Sequence, residues 1–473
     1  MAVTPAFTGA QWRILAATIL GSSLTFIDGT VVNVALPAIG ASLEAGFSAL
    51  QWVVSGYLLT LASLMLPAGT LGDRRGYART FRLGLVLFSL ASLLCALALA
   101  VGWLIAARLF QGMAAAVLVP ASLALLAQNF RGEARGRAIG IWAASSAITT
   151  AIAPLLGGFL VDVAGWRVVF LINLPLAAAA WALARPAGGR DAARDAGPVD
   201  LAGAALATAS LGLMSLGLVR MGEGALLQGG MLLALSLPFL AGFIAWQFRC
   251  PNPMMPPDLF ANRVFSGVNL QTVLLYAAFS GGLLMVPLSL IEARGFDALE
   301  AGAALLPISI IMGLFSSLSG RYAARAGPRL SLTVGPLLAA AGFALIGVGA
   351  PQAGYWLGYL PGLIVLGCGM TMAVPPLTTV VLDAVPEGRS GTASSINNVA
   401  ARTGSLLAVA ALGFAFGGAA ADSLGDAGIG RATALAMFGA AILSALSAIA
   451  GYVATRGGVR PEARASTPVP PRR

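Results

Sequence analysis

Apolar stretches long enough to cross a membrane recur along the whole of this chain, separated by short polar segments. A helix rises about 1.5 Å per residue, so about 20 apolar residues span the ~30 Å hydrocarbon core of a bilayer. Only 10% of the 473 residues are charged, whereas soluble proteins carry about 25%. The pattern predicts an all-α membrane protein with too little remaining chain for a soluble catalytic domain.

Hydropathy and loop composition predict fourteen membrane-spanning helices. Their approximate ranges are 14–38, 50–72, 82–100, 103–128, 136–161, 167–184, 201–220, 228–248, 265–290, 300–320, 330–349, 355–381, 391–418 and 432–454. Two polar segments that contain proline divide this series. The predicted parts are an N-terminal six-helix bundle at 1–184, a cytoplasmic linker at 185–200, two additional helices at 201–248, a second linker at 249–264, a C-terminal six-helix bundle at 265–455 and a disordered cytoplasmic tail at 456–473.

All 28 basic residues are arginines, and their distribution predicts the orientation of the chain. With the N-terminus in the cytoplasm, 22 arginines lie in cytoplasmic segments and 4 in outside segments. Such an excess is typical of the cytoplasmic side of membrane proteins. We therefore expect a multi-pass membrane protein with both termini inside the cell. The exclusive use of arginine is typical of a GC-rich bacterium, so the expected location is the bacterial cytoplasmic (inner) membrane. The net charge of +10 follows from this topology, so no nucleic-acid partner is expected.

The chain contains neither lysine nor histidine, which excludes several classes of function. A P-loop ATPase requires its lysine, and histidine-based triads and zinc sites require histidine. Cys95, Cys250 and Cys368 are far apart in the sequence and do not form a metal-binding pattern. We expect no metal, no cofactor and no enzymatic activity.

The segment GTLGDRRG at 69–76 follows the second predicted helix. Its glycines permit close packing of a helix end, and an aspartate there can lie near a helix N-terminus, where the dipole favours an anion. A generic basic loop is the alternative interpretation. The segment resembles the loop signature of the major facilitator superfamily, through Gly69, Leu71, Asp73, Arg74 and Gly76. The resemblance implies that Gly69, Asp73, Arg74 and Gly76 take part in conformational gating.

A segment in the fourth predicted helix, ARLFQGMAAA, resembles a second signature of the same superfamily. Arg108, Gln111 and Gly112 match its R-x-x-Q-G pattern. A buried arginine within a membrane is costly and usually has a partner or faces a water-filled cavity. The alternative is that Arg108 extends to the outer surface.

The segment AIAPLLGG at 151–158 resembles the glycine–proline signature of the superfamily's antiporters. Pro154, Gly157 and Gly158 match, and Ala153 replaces the first glycine. Small residues and proline permit close packing and a hinge, although both are also common in ordinary membrane helices. The resemblance implies a gating role for the three matching residues, and it favours export over uptake.

Two further segments, FIDGTVVNVALP at 26–37 and GWRVVFLINLP at 165–175, resemble the fourteen-helix drug:proton antiporters of this superfamily. The resemblance implies alternating access between two six-helix bundles, with two extra central helices. It implies a proton-coupled exporter of lipophilic, often cationic drugs or secondary metabolites. The expected partners are a small-molecule substrate, protons and the lipid bilayer, and we expect a monomer. The alternatives are a transporter of one narrow substrate (an amino acid, a lipid or one antibiotic), or a membrane sensor or enzyme.

Asp28 lies in the middle of an otherwise apolar helix, where an ionisable residue is a functional candidate. Counting about fourteen residues from the cytoplasmic boundary places it ~21 Å deep, or ~9 Å from the outer boundary. Arg108 lies about five residues, or ~8 Å, from the same outer boundary. In the superfamily fold the two helices both line the N-terminal half of the cavity, so we expect Asp28 and Arg108 to meet.

Such a pair suggests a coupling mechanism. Desolvation and a neighbouring arginine shift the proton affinity of a carboxyl in opposite directions, so Asp28 could exchange protons near physiological pH. Protonation would release Arg108, and a cationic drug would favour the deprotonated form. A purely structural pair that holds two helices together is the alternative.

The polar and aromatic residues that could line the substrate cavity are Thr25, Asn33, Trp52, Tyr57, Gln111, Tyr276 and Asn397, with Asn269 and Gln271 as further candidates. Arg402 has two interpretations. Either it faces the C-terminal part of the cavity, or its helix begins later than predicted.

Overall fold

The computed structural model describes residues 7–130, 132–184, 199–352, 354–386, 389–416 and 425–456. The 185–200 linker falls mostly outside this part, as do residues 457–473 of the predicted tail. Within the described part, every regular element is helical. The α-helices are α1 (Gly9–Leu43), α2 (Phe47–Arg75), α3 (Tyr77–Ala96), α4 (Val101–Asn129), α5 (Gly132–Ala164), α6 (Val168–Leu171), α7 (Asn173–Leu183), α8 (Leu201–Gly222), α9 (Leu226–Arg249), α10 (Arg263–Arg294), α11 (Ala298–Ala303), α12 (Leu306–Ala326), α13 (Pro328–Gly349), α14 (Tyr355–Gly358), α15 (Leu360–Asp383), α16 (Ser390–Ala411) and α17 (Gly425–Ala454).

Most predicted helices are present, but several have different ends. The predicted helix at 167–184 is divided into α6 and α7, and short helices α11 and α14 precede α12 and α15. The helix predicted at 391–418 ends as an α-helix at Ala411 and continues as a 3-10 turn over Leu412–Phe416. In the part of the chain that the structure describes, twelve helices are long and apolar enough to cross a membrane, and Ile152–Ala164 and Val168–Leu183 are shorter apolar helices.

Two single-residue joints occur at corresponding places in the two halves of the chain. Gly76 connects α2 to α3 with a φ of 88°, and Gly327 connects α12 to α13 with a φ of 84°. Residues with a Cβ rarely adopt this backbone conformation, whereas glycine does so at little cost. Equivalent turns in the two halves of the chain therefore use the same local device.

The long helices pack as two groups. α1, α2, α3, α4, α5 and α7 contact one another, and so do α10, α12, α13, α15, α16 and α17. Between them in sequence, α8 contacts both α2 and α16, while α9 packs mainly on α8. Short turns make successive spanning helices antiparallel. We call the face at which α1 begins the proximal face, and the face at which it ends the distal face.

Glycines bring the two groups into backbone contact towards the distal face. A Cβ added at Gly158 of α5 would overlap the carbonyl oxygen of Ala298, and one added at Gly302 of α11 would overlap the carbonyl oxygen of Pro154. The Asp162 carboxylate accepts hydrogen bonds from the backbone N–H groups of Ala298 and Leu299, at 3.3 and 2.7 Å. These contacts close the distal side of the space between the two groups.

Candidate functional site

Asp28 of α1 and Arg108 of α4 form an ion pair inside the N-terminal group of helices. The distance between Arg108 Nη1 and Asp28 Oδ2 is 2.5 Å. Both side chains are buried, with exposures of 1% for arginine and 0% for aspartate. The predicted contact is therefore confirmed. Since a buried charge is tolerated only when paired and hydrogen-bonded, each residue requires the other.

Gln111, one turn after Arg108, forms hydrogen bonds with both members of the ion pair. Its Nε2 donates to Asp28 Oδ1 at 2.8 Å and to Ser92 Oγ at 3.0 Å. Its Oε1 accepts from Arg108 Nη1 at 2.6 Å. Residues three apart lie on the same side of a helix, which places both side chains against α1. Gln111 therefore touches both charged groups.

The rest of the Arg108 side chain is also held in place. Its Nε donates to the backbone carbonyl of Val53 at 3.0 Å. Its guanidinium carbon lies 4.4 Å from the centre of the Tyr57 ring and 5.8 Å from that of Phe170. Aromatic faces attract cations, most strongly where water is excluded. Arg108 is thus fixed by a carboxylate, an amide, a carbonyl and two rings.

A cavity of about 340 Å³ lies between the two groups of helices. Residues of α1, α2, α4 and α5 line one side, and residues of α10, α12, α15 and α16 line the other. Most of the lining is apolar, as in small-molecule sites generally. Arg108 reaches the lining, whereas Asp28 is not among the lining residues.

Four of the predicted cavity residues do line it, namely Thr25, Asn33, Tyr57 and Tyr276. Within the described chain, the Asn33 Oδ1 atom and the Tyr57 hydroxyl are buried and have no hydrogen-bond partner. A buried polar atom without a partner is costly. These two atoms are therefore available to a molecule bound in the cavity.

The prediction is wrong for the other three residues, Trp52, Gln111 and Asn397, because none of them is in the lining. Gln111 binds the ion pair instead, and Trp52 packs against the hydrophobic core. Asn397 donates to Asn269 Oδ1 at 3.2 Å and to Thr272 Oγ1 at 2.7 Å, which joins α16 to α10. The further candidates Asn269 and Gln271 are also absent from the lining.

Arg402 of α16 lines the cavity, so the first of its two interpretations holds. Its helix begins at Ser390, about three turns earlier. Neighbouring Asn398 is a lining residue that the sequence interpretation missed, whereas Asn397 was chosen in error. Successive residues differ by about 100° around a helix, so a one-residue error selects the wrong face.

The residues predicted to take part in gating lie in two places. Pro154, Gly157 and Gly158 are in the part of α5 that faces α1 and α11, and an added Cβ at Gly157 would overlap Val31. Gly76 forms the α2–α3 joint. The side chains of Asp73 and Arg74, and the surroundings of Gly69, lie outside what the structure describes.

Helices long and apolar enough to cross a membrane surround a central cavity in the described part of the chain, which is the architecture of a multi-pass membrane transporter. Residues 18–409 match the model of the Major Facilitator Superfamily, and the chain belongs to this family.

The chain is also similar to individual proteins. It is 35% identical to the methylenomycin A resistance protein of Bacillus subtilis over 414 residues. The matched region covers 86% of this chain and 87% of that protein. It is 32% identical to the drug efflux pump JefA of Mycobacterium tuberculosis, over 86% of this chain and 80% of that one. An inward-facing, unoccupied bacterial homologue of the human lysosomal transporter Spinster has the same fold, with a TM-score of 0.69 and 17% identity over 95% of this chain and 98% of that one.

Proposed function

We propose that this protein is a proton-coupled antiporter that exports lipophilic drugs or secondary metabolites from a bacterial cell. The observation that carries the proposal is the buried Asp28–Arg108–Gln111 cluster directly beside the cavity. The named relatives, a resistance protein and an efflux pump, support the drug-export part. No catalytic chemistry is part of this proposal.

Asp28 is the proposed proton site. In the described chain it is the only acidic residue buried within a long helix. Protonation would remove the charge that holds Arg108, and the guanidinium, which already reaches the cavity lining, would then need another partner. Removing one charge from a buried ion pair destabilises the folded state by several kcal/mol. That free energy is available to change the packing of α1 against α4.

The proposed topology has fourteen spans, arranged as six, two and six, with both termini in the cytoplasm. The proposal is supported by the twelve long apolar helices and by two shorter apolar stretches, in α5 and in α6–α7, that could provide the remaining two spans. We propose the domain boundaries given by the sequence and a monomeric protein in the inner membrane. With this orientation the distal contacts between α5 and α11 lie at the outer face.

Proton coupling is tested by the Asp28→Asn variant in proteoliposomes with an imposed pH gradient. We expect wild-type protein to release protons when a panel of lipophilic compounds is added, and Asp28→Asn to fall to the level of empty vesicles. Counterflow of substrate without a gradient should persist in the variant. Glu223→Gln, an acid-to-amide change at an exposed position of the α8–α9 turn, is the matched control. Unchanged proton release by Asp28→Asn would refute the coupling role.

The gating role of the glycine contacts is tested by Gly158→Ala. Its added Cβ would overlap the Ala298 backbone, so we expect the distal face to open, shifting the equilibrium by about 1–3 kcal/mol. Spin labels at Glu44 and Gln352, in a cysteine-free background, report the distance across that face. Gly439→Ala is the control, because a Cβ there would meet nothing within 4 Å. An unchanged label distance would contradict the proposed gate.

A further inference from the structure

The charges around the cavity do not balance. Its described lining contains two arginines, Arg108 and Arg402, and no aspartate or glutamate. Asp28 neutralises Arg108 from behind the lining. Among the described residues, Arg402 takes part in no ion pair. The cavity therefore presents one uncompensated positive charge.

Arg402 shares the cavity lining with hydrogen-bond donors from both groups of helices. Tyr57 of α2 and Tyr276 of α10 line the same cavity. The Tyr57 side chain is only 1% exposed, and its hydroxyl has no hydrogen-bond partner within the described chain. A guanidinium and a free hydroxyl can both donate to one oxygen-rich group. This combination of a cation and a hydroxyl donor favours an anion.

We propose that Arg402 and Tyr57 form the polar end of the substrate site, and that the substrate is a mostly apolar molecule bearing a carboxylate or similar anionic oxygen. The inference rests on the proposed export function and names the charge class of its substrate. That class differs from the cationic compounds implied by the sequence resemblance. Because the Asp28–Arg108 pair is already complete, the anion binds Arg402 without breaking it.

An anionic substrate changes the electrical consequence of export. A negative charge that leaves the cell moves in the direction favoured by an inside-negative membrane potential, as does a proton that enters. One-for-one exchange of a monoanion and a proton therefore moves two charges, whereas exchange of a monovalent cation and a proton moves none. Anion export should thus be accelerated by the potential alone.

The test compares three probes that share one ring system: 1-naphthylacetate, 1-naphthylacetamide and 1-naphthylmethylammonium. Binding to the purified full-length protein in detergent is measured by calorimetry, with no proton gradient. We expect wild-type protein to bind the acetate at least ~10-fold more tightly than the amide and to bind the ammonium compound least. Arg402→Gln should remove the advantage of the acetate and leave binding of the amide unchanged, and Arg402→Lys should restore part of it.

Arg431→Gln is the matched control, because it removes one exposed arginine that is not in the cavity lining. It should bind the acetate as wild type does. Equal affinity for acetate and amide, tighter binding of the ammonium compound, no measurable binding of the acetate, or an acetate preference that survives in Arg402→Gln would each overturn the proposal.

The two proposals fail separately. If the acetate preference depends on Arg402 but a pH gradient drives no flux, the anion site stands and proton coupling is refuted. If Asp28→Asn abolishes proton release while wild-type protein binds all three probes alike, proton coupling stands and the anion site is refuted.

Discussion

The two groups of helices are packed in a similar way, but the buried arginine of one is paired with a carboxylate and the cavity arginine of the other is not. In the N-terminal group, Arg108 is bonded to Asp28 and Gln111 and is almost completely buried. In the C-terminal group, Arg402 is half-buried and has no carboxylate partner in the described chain. The neutral amides Asn269 and Asn397 bond to each other nearby. In the two proposals above, proton exchange takes place within the N-terminal group, whereas the charge that recognises the substrate belongs to the C-terminal group.

The largest expected difference in stability is between two arginine-to-glutamine variants, one in each group of helices. Arg108→Gln leaves the buried Asp28 without its cation, so we expect a loss of about 3–5 kcal/mol of stability. Arg402→Gln breaks no ion pair in the described chain, and we expect a change of about 0–1 kcal/mol. Thermal unfolding of both variants in detergent measures the difference.

The double variant Asp28→Asn/Arg108→Gln provides the control for that comparison. Because it removes both charges, it should recover part of the lost stability. Equal losses in the two single variants, or no recovery in the double variant, would contradict the expected difference between the two arginines in their contribution to stability.

A smaller effect is expected from the two buried amides. Gln111→Leu removes hydrogen bonds to charged groups, which are worth about 1.5–3 kcal/mol each. Asn397→Leu removes bonds between neutral groups, worth about 0.5–1.5 kcal/mol each. Denaturant titration followed by tryptophan fluorescence should therefore find Gln111→Leu the less stable of the two. A lower stability of Asn397→Leu than of Gln111→Leu would contradict the larger contribution that we assign to the hydrogen bonds of Gln111.

The smallest effect is expected outside both groups, at the start of α8. Burial alone would raise the pKa of Asp200, but hydrogen bonds from Gln247, the Gly203 N–H and Trp246 outweigh it and hold the pKa below its ordinary value. The resulting stabilisation is present above the ordinary value of about 3.9 and is lost as the pH falls through the lower folded value.

Asp200→Ala removes this N-cap, and we expect a loss of about 1 kcal/mol at neutral pH. Melting temperatures measured from pH 6 down to about pH 3 should fall less steeply for the variant than for wild type. Glu223→Ala, at an exposed ion pair, should keep the wild-type slope. An equally steep fall in Asp200→Ala would show that this carboxylate does not contribute to acid sensitivity.

The sequence was sufficient for the features that depend on depth in the membrane. Helix length and rise placed Asp28 and Arg108 at the same depth, the resemblance to the superfamily placed their helices on the same side of the cavity, and the ion pair is present. Rotation around the helix axis was harder, because proline lies inside α1, α2, α4 and α5 and an apolar helix can face either protein or lipid. Trp52 and Asn397 were misplaced because the sequence did not fix which face of each helix lines the cavity. The unpaired charge of Arg402 could be recognised only from the residues that surround it in the structure.

The position of α8 makes the two seams between the groups of helices unequal. α8 contacts α2 and α16 together, and near the distal face Gly222 lies against Gly413. The opposite seam is formed by α5 with α11 and α12. The groups are in direct contact at both seams, through α2 with α16 and through α5 with α11 and α12, but α8 covers only the first seam. Lateral loading from the lipid should therefore be one-sided, and the thickness of the surrounding bilayer, through its effect on α8 and α9, should influence how readily that path opens.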